Sequence, residues 1–288
     1  MPATRHSLVS THQILGSDVR CWTYPSAGHS AGTILAVHGF RGDHHGLQLV
    51  VDELAEYTVV VPDLPGFGDS TPMRGVPHDA AGYARVVGEL AAQLDLGPET
   101  ILLGHSFGTI VAAYRLAAHP QEFGRLVLIN PICEPALEGS NALMSRAAGA
   151  FYLVGSVLPA RVGEPLLRWR LISDVMSLAM TKSGDSAVRA YVKEQHRSYF
   201  SRFNGRDTLR ESFQSSISGT VLQAAPAISA PTLLVAGALD ELGSVAGQEA
   251  LAAEFRSAEL RVIDDVGHLI HYERPAAAAG HIRRFLAR

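Results

Sequence analysis

The chain has 288 residues, is 47% hydrophobic and carries a formal net charge of −4 with no polybasic run. That much apolar material suits one large domain or a domain with an insertion, and the charge balance argues against a nucleic-acid partner. Two cysteines, Cys21 and Cys133, are too few for a disulfide framework.

Residues 1–10 lack the apolar core of a secretory signal, which makes a cytoplasmic location the default expectation. Two short strands are expected at 6–13 and 19–24. After them, apolar runs at 33–37, 58–61, 100–103, 126–129, 231–236 and 259–263 read as strands buried on both faces. Helical patterns at 46–56, 79–96, 106–119, 245–255 and 274–286 alternate with those runs. Such alternation predicts an α/β fold with a mostly parallel sheet covered by helices on both sides.

The alternation breaks between Pro131 and Pro226, where four helices are expected at 141–158, 165–181, 186–203 and 208–224. In the last, Leu209, Phe213, Ile217 and Val221 form one face, and Thr208 with Glu211 resembles a capping box. The reading is an α-helical cap at 131–226 inserted into a core made of 1–130 and 227–288. The cap has eleven Lys and Arg against eight Asp and Glu, and the remainder has 13 against 20. A basic cap is most simply a solvated outer face, though it also suits anionic substrates or a membrane surface. The most apolar stretch there, 147–158, is too short to span a bilayer.

Chemistry concentrates at Gly104-His105-Ser106-Phe107-Gly108, between an apolar run and a helical pattern. A strand, a sharp turn and a helix present a serine hydroxyl above the sheet, and the flanking Gly104 and Gly108 remove Cβ atoms from the crowded turn. Gly28-His29-Ser30-Ala31-Gly32 fits the same pattern, but a strand follows it, so Ser30 reads as a turn residue. A serine needs a base and a group to orient that base. His268, in the loop after 259–263, is the best candidate base. His38 and His105 read as structural, and His44, His45, His78 and His271 are weaker choices. Asp240, after 231–236, is the preferred acid over Glu241, Glu134, Asp264 and Asp265, and Asn130 cannot act as a carboxylate. Backbone N–H groups of Phe107 and of Phe40, in His38-Gly39-Phe40-Arg41-Gly42, would form an oxyanion hole, with His38 and Gly39 as supporting turn residues. No His, Cys and Asp spacing suggests a metal site, and no cofactor is expected.

Together these residues resemble the α/β-hydrolase superfamily. The resemblance covers nearly the whole chain and includes Asp63-Leu64-Pro65-Gly66-Phe67-Gly68-Asp69-Ser70, where Asp63 is structural. It implies a Ser106–His268–Asp240 triad and an acyl-enzyme. Serine at the nucleophile position disfavours the epoxide hydrolase and dehalogenase branches. The expected function is hydrolysis of a small, apolar carboxylic ester. Carbon–carbon hydrolysis of the meta-cleavage-product type, thioester hydrolysis and a non-catalytic ligand receptor remain alternatives.

Overall fold

The computed structural model describes residues 5–135 and 142–288, with the side chains of 142–144 outside that description. Eight strands form one sheet: β1 (Leu8–Ile14), β2 (Ser17–Tyr24), β3 (Thr33–Val37), β4 (Thr58–Pro62), β5 (Thr100–His105), β6 (Arg125–Ile129), β7 (Thr232–Gly237) and β8 (Ala258–Ile263). Their spatial order is β1-β2-β4-β3-β5-β6-β7-β8. The pairs β1/β2 and β2/β4 are antiparallel, and every other neighbour is parallel.

Eleven helices accompany the sheet among the described residues. Six belong to the sheet layers: α1 (Gln48–Glu53), α2 (Ala80–Gln93), α3 (Phe107–Ala118), α9 (Val245–Glu254), α10 (Ile270–Glu273) and α11 (Pro275–Leu286). Five lie between β6 and β7: α4 (Ala142–Val157), α5 (Ala160–Leu167), α6 (Arg170–Met180), α7 (Ser186–Tyr199) and α8 (Arg206–Ser218). These five fall inside the expected 131–226 insertion, although the expected start at Asn141 lies outside the described residues. No helix among the described residues is long and apolar enough to cross a membrane.

Strand alternation divides the core into two layers. Ile34 and Ala36 of β3 join α1 and α11, while Leu35 and Val37 join α2 and α3. Successive side chains of a strand point to opposite faces, so a strand buried on both reads as an unbroken apolar run. Insertion residues Tyr152, Leu167, Phe203, Leu209 and Phe213 pack into the α2/α3 layer.

Several helix boundaries differ from expectation. The 46–56 helix is a short 3-10 turn at His44–Leu47 followed by α1. The expected 165–181 helix is two, because α5 begins at Ala160, carries Pro165 inside it, and stops before Trp169. Thr208 caps nothing: Gly205 is the N-cap of α8, and the Thr208 hydroxyl lies buried against His78. Glu211 accepts from the backbone N–H of His78 instead of closing a capping box.

Candidate active site

β5 runs to His105, the chain turns sharply at Ser106, and α3 begins at Phe107. Ser106 adopts φ 53° and ψ −121°, a strained conformation for a residue with a Cβ. The glycines on either side make the turn possible. A Cβ on Gly108 would stand 2.7 Å from the His38 carbonyl oxygen, and one on Gly104 would stand 2.8 Å from Thr109 Cα. Ser106 N–H donates to Ile129 O at 3.0 Å, tying the turn to the end of β6.

The parallel sheet brings three distant loops to the same edge. His268 Nε2 lies 2.7 Å from Ser106 Oγ, and His268 Nδ1 lies 2.9 Å and 3.0 Å from the two Asp240 oxygens. A carboxylate only accepts, so Nδ1 carries the proton and Nε2 is left to accept from the serine hydroxyl. Asp240 Oδ1 also accepts from Leu242 N–H at 2.9 Å. Burial works to raise the Asp240 carboxyl, but attraction to His268 and the hydrogen bonds from His268, Leu242 and Asn130 hold it below its ordinary value.

Asn130 was absent from the expected site. It directly follows β6 at φ 49°, and its Nδ2 donates to Asp240 Oδ2 at 2.8 Å and to Gly267 O at 3.2 Å. One amide therefore holds both the acid and the loop that carries the imidazole. Its only signal in the sequence is its position at the carboxyl end of a strand.

Gly39 lies against the elbow, where a Cβ would come 3.0 Å from Ser106 Cβ. Phe40 and Phe107 both line the cavity above Ser106. Among the described residues, neither of their backbone N–H groups has a hydrogen-bond partner. His38 is structural: Nε2 accepts from Leu64 N–H at 2.9 Å, so Nδ1 donates to Gly39 O at 2.8 Å. Asp63 likewise serves the scaffold, accepting from His44 and from Asp69 N–H.

The loop's Arg41 is a second residue whose role the sequence hides. It is fully buried, and its guanidinium donates to Phe200 O, Tyr152 Oη and Leu167 O, all in the insertion. Arg41 thus clamps the loop holding Phe40 to α4, α5 and the end of α7.

The remaining histidines lie outside the Ser106–His268–Asp240 hydrogen-bond chain. The His105 and His271 rings pack at a tilt behind His268, their centroids 3.9 Å apart and both buried. His78 is buried against Met73 and Glu211, away from the cavity. Asp43, His44 and His45 place possible metal-ligating atoms within 4.8 Å of one another, a grouping that spacing in the sequence did not suggest. One ring nitrogen of each histidine is engaged, His44 Nδ1 with Asp63 and His45 Nδ1 with Asp43.

A cavity of about 370 Å³ opens above Ser106, between the sheet edge and the insertion. Its walls are mainly apolar, with Phe40, Ile132, Tyr152, Met176, Phe213 and Leu269 prominent. Its charged side chains, among the described residues, are Asp43, Glu134 and Glu241, with no Lys or Arg. Glu241 is paired with Lys182.

Residues 32–275 match the family model of the alpha/beta hydrolase fold. The chain belongs to the α/β-hydrolase family. A monoacylglycerol lipase, abhd6-A of Xenopus laevis, is 25% identical over 278 residues, spanning 93% of this chain and 79% of that protein. Among solved structures, a thermophilic esterase from Thermogutta terrifontis has a TM-score of 0.75 at 22% identity, covering 99% of this chain and 98% of its own. The enol-lactonase from Burkholderia xenovorans LB400 has a TM-score of 0.81 at 18% identity, covering 97% of this chain and all of its own. The family match and these likenesses establish an α/β-hydrolase with a lipase relative and with esterase and lactonase neighbours in fold.

Proposed function

We propose that this hydrolase cleaves an uncharged carboxylic ester through an acyl-enzyme on Ser106. The observation that carries the reading is the continuous hydrogen-bond chain Ser106–His268–Asp240 at the floor of an apolar cavity. As Ser106 Oγ attacks the ester carbonyl, its proton passes to His268 Nε2. Asp240 stabilises the resulting imidazolium, and Asn130 keeps Asp240 in place. The N–H groups of Phe40 and Phe107 hold the oxyanion, each contributing about 3 kcal/mol. His268 then gives its proton to the leaving alcohol. Water, deprotonated by the same imidazole, attacks the acyl carbon and releases the acid. The helical insertion serves as a cap that walls the substrate from solvent. None of these steps calls on a cofactor.

The charge of the cavity supports an ester over carbon–carbon cleavage. A ring-fission dienoate carries a carboxylate, which would enter a chamber whose own charged groups are carboxylates. Glu241 is offset by Lys182 and Asp43 lies 3.7 Å from Arg202, which leaves Glu134; a like charge roughly 8 Å from it, at an effective dielectric constant near 20, is repelled by about 2 kcal/mol, about thirtyfold in affinity. The test compares p-nitrophenyl butyrate, p-nitrophenyl hemisuccinate and a ring-fission dienoate, each with wild type and Ser106→Ala. The butyrate should turn over fastest, and Ser106→Ala should reduce that rate by at least about 10⁴-fold with the fold intact. Retained turnover in the variant would refute the nucleophile, and faster dienoate cleavage would refute the ester reading.

A further inference from the structure

Helix α6 is turned the wrong way round for a helix bathed only in water. Its small polar residues face inward: Ser173 is 1% exposed, and buried Ser177 bonds to Ser173 O and His196. Its large apolar residues Leu171, Val175 and Leu178 stand in solvent at helical spacing, Leu178 at 68% exposure. The same reversal extends along the neighbouring chain. Of the thirteen large hydrophobic residues exposed among the described residues, eight fall between Leu153 on α4 and Leu178 on α6. Soluble proteins seldom gather exposed apolar residues in this way without an interaction to cover them.

Cations accompany this surface. A groove beside α6 has Leu171, Val175 and Leu178 along it, with Arg189 and Lys193 of α7 at its edge. Asp174 also faces the groove, but its carboxylate is held by Arg197. Arg146, Arg161 and Arg170 are exposed on the same run of helices, as are the acids Glu164, Asp185 and Glu194, so the cations are in excess rather than alone. Exposed Trp169, at the junction of α5 and α6, adds an amphipathic ring of the kind favoured at a lipid–water boundary.

We propose that the outer face of α4 to α7 docks on an anionic phospholipid surface. Apolar side chains enter the acyl boundary while the cations meet the headgroup charge, each worth roughly fivefold in affinity. The excess of cations favours lipid over a second copy of the chain, because self-association would bring two net-positive faces together. The inner sides of α4 and α6 supply Ala148, Tyr152, Met176 and Met180 to the cavity above Ser106. An uncharged acyl ester dissolved in the surface therefore meets the protein beside its reaction chamber. This use of the surface rests on the ester-hydrolase reading, whereas docking itself does not.

The test uses the full chain, phosphatidylcholine vesicles, and vesicles of an equimolar phosphatidylcholine–phosphatidylglycerol mixture. The chain has two tryptophans, and Trp22 is buried, so a change in emission reports on Trp169. The anionic vesicles should shift the emission to the blue and sediment the protein, high salt should reverse both, and neutral vesicles should do little. Val175→Glu with Leu178→Glu should weaken binding at least roughly tenfold. The same double variant should hydrolyse a soluble short-chain ester at the wild-type rate. Absence of vesicle binding, equal binding to neutral vesicles, or a dimer in solution that the double variant dissociates would each overturn the proposal. Vesicle binding without any ester turnover would instead sink the catalytic reading and leave the docking surface standing.

Discussion

Acidification from pH 7 to 5 should destabilise the fold by several kcal/mol, through histidines that folding keeps neutral. Burial is the main cause in each case. It pushes His105 down to about 3, with His268 adding to the effect, and His196 down to about 4, with Arg41 adding to it. His271 lies well below its ordinary value for the same reason, with His105 and His268 adding to it. An unfolded histidine takes up its proton near pH 6.5. Between that pH and the lowered folded value, the unfolded chain binds more protons, so stability falls as pH falls. The contribution is complete above the unfolded value and is lost progressively below it. From pH 7 to 5, each histidine that stays neutral costs about 2 kcal/mol, so His105 and His196 together cost about 4 kcal/mol. Against a typical total of about 5–15 kcal/mol, that loss is large. Asp43 and Asp240, both held below their ordinary values, lose their contribution only at lower pH. Glu273 is raised by burial and acts in the opposite sense, so the net slope is somewhat reduced. Urea unfolding at intervals between pH 5 and 7 measures the effect, with stabilities extrapolated linearly. His196→Gln retains a side-chain partner for Ser177, and its stability should fall less steeply by about 1 kcal/mol per pH unit below pH 6. The slope decides the matter whatever the variant's absolute stability. A wild type equally stable at pH 5 and 7, or a variant with an unchanged slope, would show that these rings do not stay neutral.

Asn130→Ala removes the amide that donates to Asp240 Oδ2 and Gly267 O. A hydrogen bond to a charged group is worth about 1.5–3 kcal/mol, so kcat should fall between about tenfold and a hundredfold with KM nearly constant. Steady-state kinetics on a neutral p-nitrophenyl ester would measure this, and an unchanged kcat would remove Asn130 from the positioning role. Gly108→Ala drives a Cβ into the backbone carbonyls of Val37 and His38, neither of which can rotate away. Overpacking of that kind costs about 1–3 kcal/mol or more, and the thermal midpoint should drop by about 2–5 °C or more. A wild-type midpoint would mean that the elbow has room the geometry denies it.

What the sequence discloses depends on how locally each feature is determined. Ser106, His268 and Asp240 each follow an apolar run and a short turn, and parallel neighbours then bring the loop ends together. Asn130 also follows a strand. It was set aside because an amide cannot act as a carboxylate, which is sound chemistry applied to the wrong role. Seeing it as a donor requires knowing that the end of β6 lies beside the loop after β7, a fact of sheet order. Arg41 is harder still, since its three acceptors lie 111 to 159 residues along the chain. Helix α6 marks a physical limit of pattern reading. Periodicity gives the angular position of an apolar stripe, but whether protein or solvent lies beyond that stripe is decided by the neighbouring elements. From the sequence alone, Leu171 and Leu178 are therefore indistinguishable from Met176 and Met180 on the same helix. The two methionines do face the cavity and the two leucines face outward, so a helix apolar on both sides reads like one that is simply buried. Only burial separates the two cases, and burial on this helix puts serine inside and leucine outside. Packing within this chain alone gives no reason for that inversion, whereas a surface that accepts leucine does.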